Sequence, residues 1–218
     1  MSFLQSLIET FEKGGVVMYP IFAFSVLGSA LVIYKWFYFT RLEKDTENFC
    51  REFFSFIEKR DMNLAAGLCR ARRIPMARIM VSGLKNHLTV QSQHNHPEFI
   101  KGSEEKTVGA IREVILGEIP RMERHLSTIA VTATILPMLG LLGTITGMIT
   151  TFEIISIKGT GDPRTLGAGI SEALITTEAG LITSIPLIFM HNHLSNRYDR
   201  LIASIEQNAA RFLNIIGK

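Results

Sequence analysis

The sequence predicts an all-α integral membrane protein, with three transmembrane helices and long helical extensions outside the bilayer. Three observations predict it. The 23 basic and 20 acidic side chains are segregated: windows 14–34, 126–152 and 165–190 contain only Glu172 and Glu178 among them. Each window exceeds the roughly 20 residues that a helix needs to cross about 30 Å of hydrocarbon. The intervening segments repeat their apolar residues at helical spacing, with no β-rich stretch and no internal repeat. A chain that is 47% hydrophobic and 20% charged, divided in this way, excludes an ordinary soluble enzyme, a disordered chain and a secreted disulfide scaffold.

Residues 1–13 form a short outer segment, and the first transmembrane helix covers 14–39. Its apolar run is longer than the core of a signal peptide and no small-residue cleavage site follows, so it reads as a retained span. Tyr19-Pro20 near its outer end is accommodated by a bend. Tyr34, Trp36, Phe37, Tyr38 and Phe39 cluster where the helix leaves the bilayer and read as interfacial anchors.

Residues 40–125 read as a cytoplasmic helical domain. Phe49, Phe53, Phe56 and Ile57 form one apolar stripe; Val108, Ile111, Ile115, Ile119 and Met122 form another, which Gly117 and Pro120 should bend. The polar stretch 86–103, with Pro97 and Gly102, reads as a loop. The second transmembrane helix covers 126–152, and Pro137 should kink it. A loop over 153–164 leads to the third transmembrane helix, 165–190. Residues 191–218 form a last helix with Tyr198, Leu201, Ile202, Ile205, Phe212 and Ile216 on one face. These stripes should extend the membrane helices and pack against one another.

Orientation follows from the basic residues. Segment 40–125 carries 15 of the 23 Lys and Arg residues, the tail before the first span one, the 153–164 loop two and the C-terminal tail four. Basic residues stay on the cytoplasmic side. The N-terminus and the 153–164 loop therefore face outward; the middle segment and the C-terminus face the cytoplasm.

Other features carry less. A net charge of +3 with the two signs mixed gives no reason to expect a nucleic-acid partner. Cys50 and Cys69 read as unpaired thiols in a reducing compartment. His94 and His96 lie in the polar loop without nearby cysteines, which is a weak metal pattern. His191 and His193 fall about 200° apart on a helix, so they cannot grip one ion from one face. They read as interfacial residues. Neither a nucleophile constellation nor a phosphate-binding loop is present.

The chemistry sits in the last two spans. Gly140, Thr144, Gly147 and Thr151 fall within about 60° of one another on the second. Such a stripe either lets helix backbones approach or forms a wet, pore-lining face. On the third span Gly169, Glu172, Ala173, Thr176, Thr177, Gly180, Thr183 and Ser184 share an arc of about 140°. A carboxylate at that depth needs a bundle interior, a cavity or a partner. At 1.5 Å per residue, Glu172 lies about 10 Å from the outer end of its span and Thr144 about 12 Å from the outer end of its own. An antiparallel hairpin could thus present Thr144, Glu172 and Thr177 along one polar track. Glu178 is about 120° around the helix from Glu172 and nearly at mid-membrane. It could pair within the subunit, across a subunit boundary or with a bound partner. The three windows hold no Lys, Arg, His or Asp, so a proton or cation path here lacks a counter-charge of its own.

The paired motifs GLLGTITG (140–147) and ISEALITTEAGL (170–181) resemble those of the MotA/TolQ/ExbB proton-channel family, and the layout resembles its three-span ExbB/TolQ branch. The resemblance implies an inner-membrane stator subunit, not an enzyme, that needs no cofactor beyond the proton gradient, with sodium still open. It implies a homopentameric ring in the lipid bilayer around two copies of an ExbD/TolR-like single-span partner whose transmembrane Asp carries the proton. It also implies a TonB- or TolA-like transducer that carries the work to the outer membrane. By motif position Thr144 and Thr177 match the family's pore threonines, and Glu172 its functional glutamate. Gly140, Gly147, Thr151, Thr176, Gly180 and Thr183 accompany them on the same faces. Glu178 departs from the pattern, standing where a small or apolar residue is expected. A non-conducting helical scaffold and a gliding or flagellar-type stator subunit are the alternative readings.

Overall fold

The computed structural model describes residues 11, 13–59, 61–92, 98–159 and 163–216, and their regular structure is entirely helical. The helices are α1 (Met18–Glu58), α2 (Met62–Ala71), α3 (Pro75–Ser92), α4 (Glu98–Glu123), α5 (Leu126–Lys158) and α6 (Pro163–Ile216). Three helical stretches are long and apolar enough to cross a membrane: Met18–Glu58, Lys106–Ile157 and Leu166–Ile216.

Local chemistry sets the boundaries. Before α1 the chain turns at Gly14–Gly15, where Gly15 takes a φ of 63° that a side chain would strain. Pro20 then falls in the first turn of α1, where its missing N–H would have had no partner, and the bend expected at Tyr19-Pro20 is not needed. Asp61 caps α2 by accepting a hydrogen bond from the Leu64 N–H at 3.1 Å. His125, at φ 72°, separates α4 from α5, so the stripe before the second span is a separate helix. Pro120 lies five residues before that break. Gly159, at φ 72°, ends α5, and its N–H donates to the Ile155 carbonyl at 2.8 Å.

The expected loops are shorter than their composition suggests: residues 86–92 and 98–103 are helical, because α3 runs to Ser92 and α4 begins at Glu98, and residues 153–158 continue α5. Polarity alone does not break a helix, and Gly102 is tolerated inside α4. His94 and His96 lie outside the described residues.

The chain divides into two compact units. The first holds the chain up to Lys35 together with His125–Leu194, that is, the start of α1, all of α5 and more than half of α6. Its core includes Met18, Ile21, Val32, Ile129, Leu136, Ala173 and Leu187. Gly28 faces Leu187 and Thr132, so the three helices approach closely there. Outside that core the unit exposes Phe22, Met138, Leu141, Ile149, Phe152, Leu174, Ile182 and Phe189. A water-soluble protein does not display an apolar surface so continuous; for a membrane-spanning unit it is the surface that lipid and partners cover.

The second unit holds Trp36–Arg124 and Ser195–Lys218. Here the predicted stripes do pack together. Phe53 is fully buried, stacks on Phe49 at 5.5 Å and meets Phe212 at 5.5 Å. Gly83 lies against Phe212 and Ile111. Phe39, read from sequence as an interfacial anchor, is instead fully buried, whereas Phe37 is exposed. The guanidinium of Arg197 is 5.3 Å from the Trp36 ring centroid, donates to Glu43 at 2.6 and 3.1 Å, and donates to Thr40 at 3.1 Å. This ties the continuation of α1 to that of α6 inside the unit.

Both cysteines are free and buried. Burial pushes Cys50 up to about 11, with Arg211 pulling the other way, and pushes Cys69 up to about 12. Two consequences follow. Thiol alkylation at neutral pH should be slow in the folded protein and become complete on unfolding, as mass spectrometry would show. A raised thiol pKa also means that the native state holds its proton more tightly than the unfolded chain. The associated stability is present below the ordinary value of 9.0 and is lost as pH rises through about 11 and then about 12. Alkaline melting curves of Cys50→Ser and Cys69→Ser variants should flatten in that window.

Candidate functional site

The candidate site is built on the α5–α6 hairpin of the first unit, and glycine makes it possible. A Cβ on Gly140 would sit 3.0 Å from both the Thr176 carbonyl oxygen and the Thr177 Cα. One on Gly147 would sit 2.9 Å from the Ala173 Cβ, and one on Gly180 would sit 2.6 Å from the Leu136 carbonyl oxygen. The two backbones therefore touch along Gly140, Gly147 and Gly180, and packing accounts for these three positions. Gly143, absent from the sequence-level list, belongs to the same seam, against Thr176.

Close approach brings hydroxyls of one helix to carbonyls of the other. The Thr177 hydroxyl donates to the Gly140 carbonyl at 2.9 Å. The Thr144 hydroxyl lies 3.1 Å from the Ala173 carbonyl, 3.3 Å from its own Gly140 carbonyl, and in hydrogen-bond contact with the Thr177 hydroxyl. Each hydroxyl has one proton and two lone pairs. With Thr177 donating to Gly140, Thr144 can donate to Thr177, and rotation of the hydroxyls reverses the order. Thr144 and Thr177 thus form a two-hydroxyl relay ending on main-chain oxygen.

The neighbouring threonines are used locally. Thr176, 1% exposed, donates to the Ala173 carbonyl at 2.7 Å. Thr151 donates to Gly147 at 2.8 Å, and Thr183 donates to Ala179 at 2.8 Å. Thr176 and Thr151 are buried in the chain. Their polar atoms are satisfied inside the hairpin, whereas Thr144 and Thr177 are half-buried and reach its surface.

Pro137 creates a further constraint. Lacking an N–H, it leaves the Ala133 carbonyl without its helical donor. The Ser184 hydroxyl of α6 takes that place at 2.7 Å. α5 continues through Pro137 because α6 supplies the missing bond.

The two carboxylates separate. Glu172 is exposed, on α6 above the hydroxyl pair, and its carboxylate lies against the Gly15 backbone ahead of α1. A Cβ on Gly15 would overlap the Glu172 carboxylate oxygen and lie 2.9 Å from its Cδ. Gly15 therefore belongs to the site. The sequence signal was the Gly14–Gly15 doublet, concealed when it was counted as the start of the span. Glu178 is also exposed, and lines a groove with residues of α1 away from the Thr144–Thr177 pair. Among the described residues no group of three or more potential metal ligands forms; His191 and His193 stand in the interior of α6.

The model of the MotA/TolQ/ExbB proton channel family matches residues 71–207, more than half of the chain and including the whole hairpin. The chain belongs to this family. An ExbB-like biopolymer transport protein of Synechocystis sp. is 31% identical over 82% of this chain and 66% of its own length, so the chain spans slightly less than two thirds of that relative. A second ExbB-like protein of the same organism is 26% identical over 91% of this chain and 89% of its own length. The Tol-Pal system protein TolQ of Haemophilus influenzae is 28% identical over 98% of this chain and 91% of its own length. ExbB-named and TolQ-named relatives thus both align with most of the chain. The family is one of channel-type transport subunits, and the three span-capable helices make this member a multi-pass membrane protein.

Proposed function

We propose that the chain is the channel subunit of an inner-membrane, proton-driven motor of the ExbB/TolQ type. Five copies form a ring around the single helices of an ExbD/TolR-like companion. Thr144, Thr177 and Glu172 line the proton route, and a transmembrane Asp on the companion supplies the acid that this chain's spans lack. The motor's work passes to a TonB- or TolA-like transducer that serves outer-membrane transport or envelope integrity. The N-terminus faces the periplasm, with residues 40–125 and 191–218 in the cytoplasm. The proton gradient is the energy source, at about 2.3 kcal/mol per charge per 100 mV.

The observation that carries this reading is the Thr144–Thr177 hydroxyl pair. Packing alone calls for small side chains; it does not call for two hydroxyls that share protons across a helix–helix seam and stay half-exposed. A non-conducting scaffold is favoured instead by the glycine contacts, and it predicts that hydroxyl-free variants behave as wild type.

The test is proton flux. The complex is isolated from bacterial membranes with its small single-span companion, reconstituted in liposomes and driven by an imposed potential, with an internal pH dye as readout. Thr144→Val and Thr177→Val preserve shape and delete one relay member each. Each removes the hydrogen bond between the two hydroxyls, and a hydrogen bond is worth about 0.5–1.5 kcal/mol. A barrier raised by about 1.4 kcal/mol slows flux about tenfold. Wild-type flux in both variants, with assembly intact, would remove these hydroxyls from the route.

A further inference from the structure

Glu178 is a carboxylate of the third span that the proposed route does not use. It opens onto a groove of about 640 Å³ between the start of α1 and the middle of α6. Phe11, Phe22, Ile182, Ser25 and Thr183 are among its walls, and no Lys, Arg or His is among the described residues that line it. The volume falls within the range of sites that take small organic ligands. Thr183 already donates to its own helix, so its proton is not committed to Glu178. Phe11 and Phe22 meet edge to face at 5.7 Å near the groove's outer end.

These features fix the chemistry of an occupant. An acyl chain fills apolar volume but brings nothing to a carboxylate, and an ionised carboxylate at this depth is costly without a counter-charge. The occupant that satisfies the whole groove carries an apolar chain and a positive donor. The apolar walls hold the chain, Glu178 receives the ammonium, and the aromatic rings tolerate a cation nearby. We propose that the groove is a binding site for membrane-partitioned alkylammonium amphiphiles, with Glu178 as its anionic anchor. It lies about 100° around α6 from Thr177, so it opens on a different side of the helix from the Thr144–Thr177 pair.

The test measures binding rather than flux, so it stands apart from the channel reading. The full-length chain is placed in lipid nanodiscs and titrated with dodecylammonium and with uncharged dodecanol, with native mass spectrometry as readout. Saturable binding of dodecylammonium is expected, at least tenfold tighter than dodecanol. Glu178→Gln should erase that preference while leaving dodecanol binding as it was, and Glu172→Gln should leave both unchanged. A second variant, Ile182→Trp, fills the groove and should weaken both probes. Equal affinity for the two probes, an unaffected preference in Glu178→Gln, or no saturable binding would each overturn the proposal. Disulfide pairing of Glu178→Cys between copies, with the groove closed to both probes, would overturn it as well by making a second copy the occupant.

Discussion

Gly15→Ala is expected to reduce gradient-driven proton flux by at least about tenfold, as severely as Glu172→Gln, although it adds one methyl group to a turn outside any helix. Two effects combine. The residue sits at φ 63°, where a side chain is strained. Its Cβ would also overlap the Glu172 carboxylate oxygen. The side chain with room to yield is the exposed glutamate, so the variant folds and assembles but holds its carboxylate elsewhere. Shortening that side chain provides an internal control. Gly15→Ala combined with Glu172→Asp should recover flux relative to Gly15→Ala alone, because the carboxylate then withdraws by one methylene. Flux in reconstituted complexes checks it, with size-exclusion profiles confirming assembly. A Gly15→Ala protein with undiminished flux would show that the contact does not matter to the route.

The contrast between Thr144 and Thr176 explains how much of this was legible from sequence. Helical spacing put both on polar faces, and the spans, their number and their helical continuations follow from charge segregation and period alone. Which hydroxyls remain accessible does not follow. That depends on how deeply the two helices interlock, and the interlock is set by the glycines at 140, 143, 147 and 180 acting together. Thr176 points into the seam and is buried, whereas Thr177, one residue on, stays half-exposed. An arc of about 140° is too coarse to separate neighbours that are 100° apart on a helical wheel.

Glu172 was identifiable because a carboxylate in an apolar window is expensive. Its contact with Gly15 was not, since 156 residues separate them and only the packing of α1 on α6 brings them together. The loop expected over 86–103 is helical at 86–92 and 98–103 for a different reason. It rested on polar composition, which marks solvent exposure rather than backbone conformation. The Pro137 site lies between these cases. The missing donor was evident in the sequence, but its replacement by Ser184 required knowing which residue α6 places opposite Ala133.

The second large effect should come from Gly180→Leu. At most helix contacts an enlarged side chain is accommodated by a neighbour's change of rotamer, at a cost of about 1–3 kcal/mol. Here the Cβ itself would meet backbone: the Leu136 carbonyl oxygen at 2.6 Å, then Gly140 Cα and N at 3.3 and 3.4 Å. Main chain of a continuous helix cannot rotate aside, so α5 and α6 must separate. Separation breaks the Thr177 bond to Gly140 and pulls Ser184 from the Ala133 carbonyl, leaving the carbonyl exposed by Pro137 without a donor. The variant should therefore fail as a folded hairpin, seen as loss of the assembled complex and rapid proteolysis in membranes. Gly167→Leu, at a helix position where a Cβ meets nothing within 4 Å, is the matched control and should assemble normally. If Gly180→Leu assembles as well as that control, the two helices are not held by the backbone contact at Gly180, and the relay between Thr144 and Thr177 loses the support that positions it.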